Sequence, residues 1–129
     1  MAKIRVLADT DVFIDYLNRG FLSRLFDGKE FEVFYSIVTH KELFSKKKLK
    51  VSERMAIAGV LKRHRIIRLN GKITAIYSDL RRRYPALEKE DALIAATAIF
   101  KKIPLVTRNR KHFKPIRDLV LFVAPSVPH

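Results

Sequence analysis

The chain has 129 residues, 48% of them hydrophobic, with 27 Lys and Arg against 13 Asp and Glu for a formal charge of +14. That length fits a single domain, residues 1–129, burying about two-thirds of its unfolded surface, and the apolar content excludes a disordered basic tail. Cysteine is absent, which excludes disulfides and thiolate metal sites and leaves oxygen or the four histidines to hold any metal.

In chain order, Ile4, Val6, Leu7 and Ala8 read as a short buried strand, followed by a helix in which Val12, Phe13, Tyr16 and Leu17 recur at helical spacing. Gly20 marks a break, and Phe21 to Phe26 predict a second short helix closed near Gly28. Phe31 to Val38, rich in β-branched and aromatic residues, predicts the second strand. Thr39-His40-Lys41-Glu42 matches a capping box, with Thr39 as N-cap and Glu42 reaching back, ahead of a helix ending in Lys46, Lys47 and Lys48, with Lys50 just beyond. A further helix is expected from Ser52 to about His64, then a strand over Arg65 to Leu69 and a turn at Asn70-Gly71. From Ile73 a helix runs to the arginines Arg81, Arg82 and Arg83 and is stopped by Pro85. Glu88 to Phe100 is apolar nearly all round, with its acids gathered in the first turn, and so predicts a helix buried on most sides. Pro104 to Val106 and Leu119 to Val123 complete the strands, separated by the polar turn Thr107 to Arg110.

Alternating strands and helices of this kind predict an α/β domain with a mainly parallel sheet of four to five strands and helices on both faces, a three-layer α/β/α arrangement. The basic excess points to a polyanionic partner, nucleic acid foremost. No apolar run approaches ~18 residues and no signal-peptide pattern opens the chain, so a cytoplasmic location without membrane attachment is expected.

Three acids stand at the joins of this pattern: Asp9, Glu42 and Asp91. Each alone has a local explanation, as N-cap, as half of a capping box, or as complement to a helix dipole. Together, the α/β order can bring all three to one sheet edge, where their mutual repulsion needs a cation. Oxygen ligands of this type suit Mg²⁺ or Mn²⁺, which activate water and stabilise charge on a phosphodiester. With a basic surface to draw in a polyanion, the combination indicates a nuclease. Asp11 fits the first turn of the first helix, as a supporting rather than a central carboxylate.

The segments Leu7-Ala8-Asp9-Thr10-Asp11-Val12-Phe13-Ile14, Ser36 to Leu43, Glu90 to Ala98, and Pro104 to Asn109 followed by Phe113 resemble the PIN-domain ribonucleases, in particular the toxins of VapBC toxin–antitoxin pairs. The resemblance spans essentially the whole chain, and the third segment is its most specific part. It implies a PIN-like fold and an acidic triad of Asp9, Glu42 and Asp91 around one or two Mg²⁺ or Mn²⁺ ions, with Asp9 and Asp91 as direct ligands. It also implies an RNA substrate, products carrying 5′-phosphate, a cognate antitoxin protein and a homodimer. The family's usual fourth acidic or amide position falls in Thr107 to Phe113, which holds no carboxylate. Asn109 can orient a water there, and His112 stands where an acid is often found. Thr107, Arg108, Arg110 and Lys111 are expected to contact substrate phosphates.

Two other readings compete. Asp9-Thr10-Asp11-Val12 also resembles the nucleophile motif of haloacid-dehalogenase-type phosphatases, but the later Gly-Asp-rich motif and the greater length of that family are missing. A non-catalytic basic RNA-binding module, or an inactive toxin-like protein, explains the charge but leaves the coincidence of three acids accidental.

Overall fold

The computed structural model describes residues 2–122. Its elements are β1 (Ile4–Ala8), α1 (Thr10–Arg19), α2 (Ser23–Asp27), β2 (Phe31–Ser36), α3 (Ile37–Phe44), α4 (Val51–Lys62), β3 (Arg65–Ile67), α5 (Gly71–Arg83), α6 (Lys89–Lys101), β4 (Leu105–Val106) and α7 (Arg110–Phe113). The strands form one four-stranded sheet in the order β3-β2-β1-β4. Every pairing is parallel, with Val6 beside Val33, Tyr35 beside Ile66 and Ala8 beside Val106.

Alternation along the strands divides the interior into two layers. Leu7, Phe34 and Leu105 point to one face, where they pack with Ile73 and Leu80 of α5, Ile94 and Ala95 of α6, and Phe113 of α7. Val6, Ala8, Val33, Tyr35 and Val106 point to the other, against Val12 and Phe13 of α1, Phe26 of α2 and Ile57, Val60 and Leu61 of α4. A strand buried on both faces must be apolar at successive positions, which is why Val6-Leu7-Ala8 is completely buried. The expected three-layer α/β/α fold is therefore present. Among the described residues no helix is long and apolar enough to cross a membrane.

Several boundaries differ from the sequence expectation. β2 ends at Ser36, and Ile37 and Val38 open α3 instead of extending the strand. The cause is Ser36, whose hydroxyl accepts from Val38 N at 3.1 Å and so caps the helix three residues before Thr39. Asn70-Gly71 is a helix start rather than a free turn: Asn70 Oδ1 accepts from Ile73 N at 2.8 Å, and α5 begins at Gly71. α4 starts at Val51, where Glu53 accepts from Lys50 N at 3.2 Å, so Ser52 is not its cap. β3 stops at Ile67, short of Leu69. The expected last strand is reduced to a single parallel bridge between Leu121 and Leu105, and Val123 lies outside the described residues.

Order reverses between β1 and β4: the chain leaves β1 toward β2 on one side and returns to β4 on the other. The crevice beyond the carboxyl ends of two such strands is where open α/β sheets bind ligands.

Candidate active site

Asp9 follows the last residue of β1 and Thr107 follows the last residue of β4, so both sit at the switch point. Asp9 N donates to Val106 O at 2.9 Å, which ties the two strand ends together. Both carboxylate oxygens of Asp9 are engaged: Oδ1 accepts from Thr10 N and Oδ2 from the Thr107 hydroxyl, each at 2.8 Å. Asp9 is 4% exposed. Burial is the main reason that its carboxyl is pushed up to about 6; the bonds from Thr107 and Thr10 oppose the rise, and the charges of Asp11 and Asp91 add to it. Asp9 occupies the N-cap position of α1, so the cap and the buried carboxylate are the same residue.

Glu42 lies in the last turns of α3 and is not half of a capping box. Thr39, its supposed partner, is the third residue of that helix and fully buried. Both instead meet Thr10 at the start of α1. The Thr10 hydroxyl donates to Glu42 Oε1 at 2.7 Å and lies 2.9 Å from the Thr39 hydroxyl. Since the Thr10 proton is spent on Glu42, Thr39 is the donor in the second bond. This chain of hydroxyls aims Glu42 toward the end of β1. Desolvation raises the Glu42 carboxyl, and the charges of Glu90, Asp11 and Asp91 raise it further against the Thr10 bond.

Asp91, third residue of α6, arrives from the opposite face of the sheet. Its carboxyl is raised by desolvation and by Glu88 and Asp11, while His112 pulls it down. His112 Nδ1 stands 3.3 Å from Asp91 Oδ2, so the imidazole pairs with a carboxylate.

Asp11 and Asp91 are thus close enough to raise the proton affinity of both Asp9 and Glu42. Asp11 is more central than a first-turn residue needs to be. Asn109 Nδ2 donates to its Oδ2, and Asn109 N in turn donates to the Thr107 hydroxyl at 3.0 Å. Asn109 therefore orients a carboxylate. Thr107 is turned inward onto Asp9, a placement different from a phosphate contact at the rim. Arg108 pairs with Asp15 of α1, and Arg110 and Lys111 lie exposed on α7 beside the cluster. Thr10 and Thr39 were the residues missed from sequence; the signal was Asp9-Thr10 directly after an apolar strand.

The donor set is chemically suited to a hard divalent cation: several carboxylate oxygens at one end of the sheet and, among the described residues, no Lys or Arg partner at Asp9, Asp11 or Glu42. Among the described residues, no three acidic or histidine side chains converge into a ready-made ligand shell.

A model of the PIN domain matches residues 6–118. The chain is 30% identical over 122 residues to ribonuclease VapC1 of Methanocaldococcus jannaschii, covering 91% of this chain and 85% of that one. Among solved structures it is similar to VapBC2 of Rickettsia felis bound to a promoter DNA fragment, with a TM-score of 0.81, 27% identity and coverage of 92% and 98%. A toxin–antitoxin complex from Klebsiella pneumoniae gives a TM-score of 0.75 at 28% identity, covering 89% of this chain and 95% of that one.

Proposed function

The chain belongs to the PIN-domain family, and from that premise we propose that it is a metal-dependent endoribonuclease, the toxin of a type II toxin–antitoxin pair. The observation that carries this reading is the cluster of Asp9, Asp11, Glu42 and Asp91 at the switch point, the first three held by hydroxyls and amides and Asp91 by His112. Similarity to a ribonuclease and to VapBC complexes supports the RNA substrate and the antitoxin partner.

Asp9 and Asp91 are the residues that would hold Mg²⁺ or Mn²⁺. When bound, such an ion supplies charge neutralisation at the phosphodiester and lowers the pKa of an attacking water. Around it, Thr107 and the Thr10 amide keep Asp9 oriented. Glu42, fixed through Thr10, accepts the proton of the attacking water as general base. The water oxygen bonds to phosphorus, the P–O3′ bond breaks, the departing O3′ takes a proton from solvent water, and the products carry 3′-hydroxyl and 5′-phosphate. Arg108, Arg110 and Lys111 contact flanking phosphates, and the +14 surface draws RNA toward an otherwise repellent acidic crevice. Affinity for RNA therefore falls steeply with salt.

A protein partner also needs an apolar surface. Val51 and Met55, one turn apart on α4, are 74% and 70% exposed, and they provide such a strip for the antitoxin. Association into a homodimer completes the proposal and is read by light scattering.

The test is RNA cleavage by the purified full chain with Mg²⁺, with Mn²⁺ and with chelator, for wild type and Asp9→Asn. Metal-dependent cleavage by wild type that disappears in the folded variant supports the reading. Undiminished cleavage by Asp9→Asn, or RNA binding with no cleavage under any metal, overturns it in favour of a binding module.

A further inference from the structure

A cavity of about 460 Å³ opens between the α5–α6 connection and α7, a size in the range of ligand pockets. Tyr84, Pro85 and Leu87 line it from one side, Pro115 and Ile116 from the other. Asp91 also lines it, so it adjoins the carboxylate cluster, and Arg83 and Lys111 belong to the same lining.

The walls are set before any ligand arrives. Tyr84 N donates to Leu80 O at 2.8 Å and Leu87 N to Tyr84 O at 3.0 Å, which fixes the connection as a tight turn. Arg81 closes the same turn by donating to the Leu87 carbonyl. Arg83 is held by Asp79 at 2.8 Å and Asp118 at 3.4 Å, with its guanidinium carbon 5.5 Å from the centre of the Tyr84 ring. Arg117 N, beyond α7, donates to the Tyr84 hydroxyl at 3.4 Å, linking the two walls.

Apolar walls, an aromatic ring, a fixed guanidinium and a free-standing lysine are the surfaces that single-stranded RNA uses: bases stack on tyrosine and arginine planes, and lysine meets phosphate. Glu88, on the same wall, offers an acceptor to base amino groups, which adenine, guanine and cytosine carry and uracil lacks. We propose that this cavity receives one nucleobase of the RNA next to the phosphodiester at Asp91, with Tyr84 and Arg83 as its stacking surface and Lys111 on its phosphate, and thereby selects the cleavage position. The proposal rests on the ribonuclease reading and deepens it by naming a specificity site.

The test does not depend on cleavage. The full chain is titrated with AMP, GMP, CMP and UMP in chelator and followed by amide NMR. Saturable shifts centred on Tyr84, Ala86, Glu88, Lys111 and Ile116 are expected, with UMP binding about fivefold or more weaker than the amine-bearing nucleotides. Ala86→Trp, which crowds the cavity from an exposed lining position, weakens AMP by about fivefold or more, the least that one lost stacking contact costs. Lys111→Ala weakens AMP but leaves adenosine unchanged. In cleavage, Ala86→Trp flattens the base preference at one position beside the cut.

Shifts located elsewhere, or equal AMP affinity in Ala86→Trp and wild type, overturn the pocket even when RNA is cleaved. So does loss of antitoxin binding in Ala86→Trp with nucleotide affinity intact, which reassigns the cavity to the protein partner. Nucleotide binding at these residues without Asp9-dependent cleavage keeps the pocket and removes the ribonuclease reading.

Discussion

The acids of this protein fall into two groups that are treated in opposite ways. Away from the switch point most are paired with cations at the surface: Glu32 with Arg5 at 3.5 Å and Arg65 at 3.3 Å, Asp79 with Arg82 at 2.6 Å and Arg83 at 2.8 Å, and Glu53 with Lys46 at 3.2 Å. At the switch point Asp9, Asp11 and Glu42 receive hydrogen bonds from threonines, an amide side chain and backbone, and no Lys or Arg. In a chain with 27 cationic residues against 13 acids, a cation partner was available for each of them. Exposed pairs add little to stability, whereas clustered buried carboxylates subtract from it. The switch point thus carries a local cost whose natural compensation is a cation supplied from solution.

The sharpest way to break this contrast is Asp9→Asn, which removes the most buried carboxylate and keeps its shape. RNA cleavage should fall by at least about two orders of magnitude, the scale of losing one preorganised electrostatic group, as read in a single-turnover assay. The same variant should be more stable than wild type in chelator at pH 8, by about 1–3 kcal/mol in urea unfolding.

That gain has a defined pH dependence. The folded-state pKa of Asp9, about 6, lies above its ordinary value of 3.8. The folded protein therefore binds more protons than the unfolded chain between those values. The contribution of Asp9 is fully present below about pH 4 and is lost as pH rises through about 6. Glu42 and Asp91 shift in the same direction. His64, whose pKa is lowered by burial, works oppositely, its contribution being lost as pH falls. The difference between wild type and Asp9→Asn isolates the Asp9 term: it should grow from pH 4 to pH 7 in metal-free urea titrations and stay flat if Asp9 is not raised.

A smaller effect follows from Thr107→Val. It removes the bond that does most to lower the Asp9 pKa, so the Asp9 carboxyl should rise further. Cleavage should drop by about tenfold and stability by about 1 kcal/mol, the ordinary worth of one hydrogen bond. The least effect is expected at the other group of acids. Glu32→Gln should change stability by less than about 1 kcal/mol and leave both cleavage and its metal dependence as in wild type.

Much of this was legible in the chain. The run Val6-Leu7-Ala8 announced a strand buried on both faces, and the apolar surround of Ala92 to Ala98 announced a helix in the middle of the protein. Their joins located Asp9 and Asp91. What misled was local chemistry that serves two purposes. Ser36 and Thr39 can both cap a helix, and Ile37-Val38 are β-branched, so the strand looked longer and Thr39 looked like the cap. The Thr39-to-Glu42 spacing copies a capping box, yet the same separation on one helix lets both residues face Thr10. That contact joins residues 32 positions apart, and no short-range pattern encodes it. The inward turn of Thr107 onto Asp9, across 98 positions, was hidden for the same reason. So was the reduction of the described part of the expected last strand, Leu119 to Phe122, to a bridge at Leu121, since strand length depends on the neighbour available.

On this reading a divalent cation binds at the switch-point acids and not at the surface acids. That difference is tested most directly by thermal unfolding of wild type, Asp9→Asn and Glu32→Gln with increasing Mn²⁺. Ligand binding to the folded state alone stabilises by about 2.7 kcal/mol at one hundred times the dissociation constant. The midpoint should rise to saturation for wild type and Glu32→Gln and not rise for Asp9→Asn. An equal rise in all three proteins, or no rise in wild type, would contradict this reading.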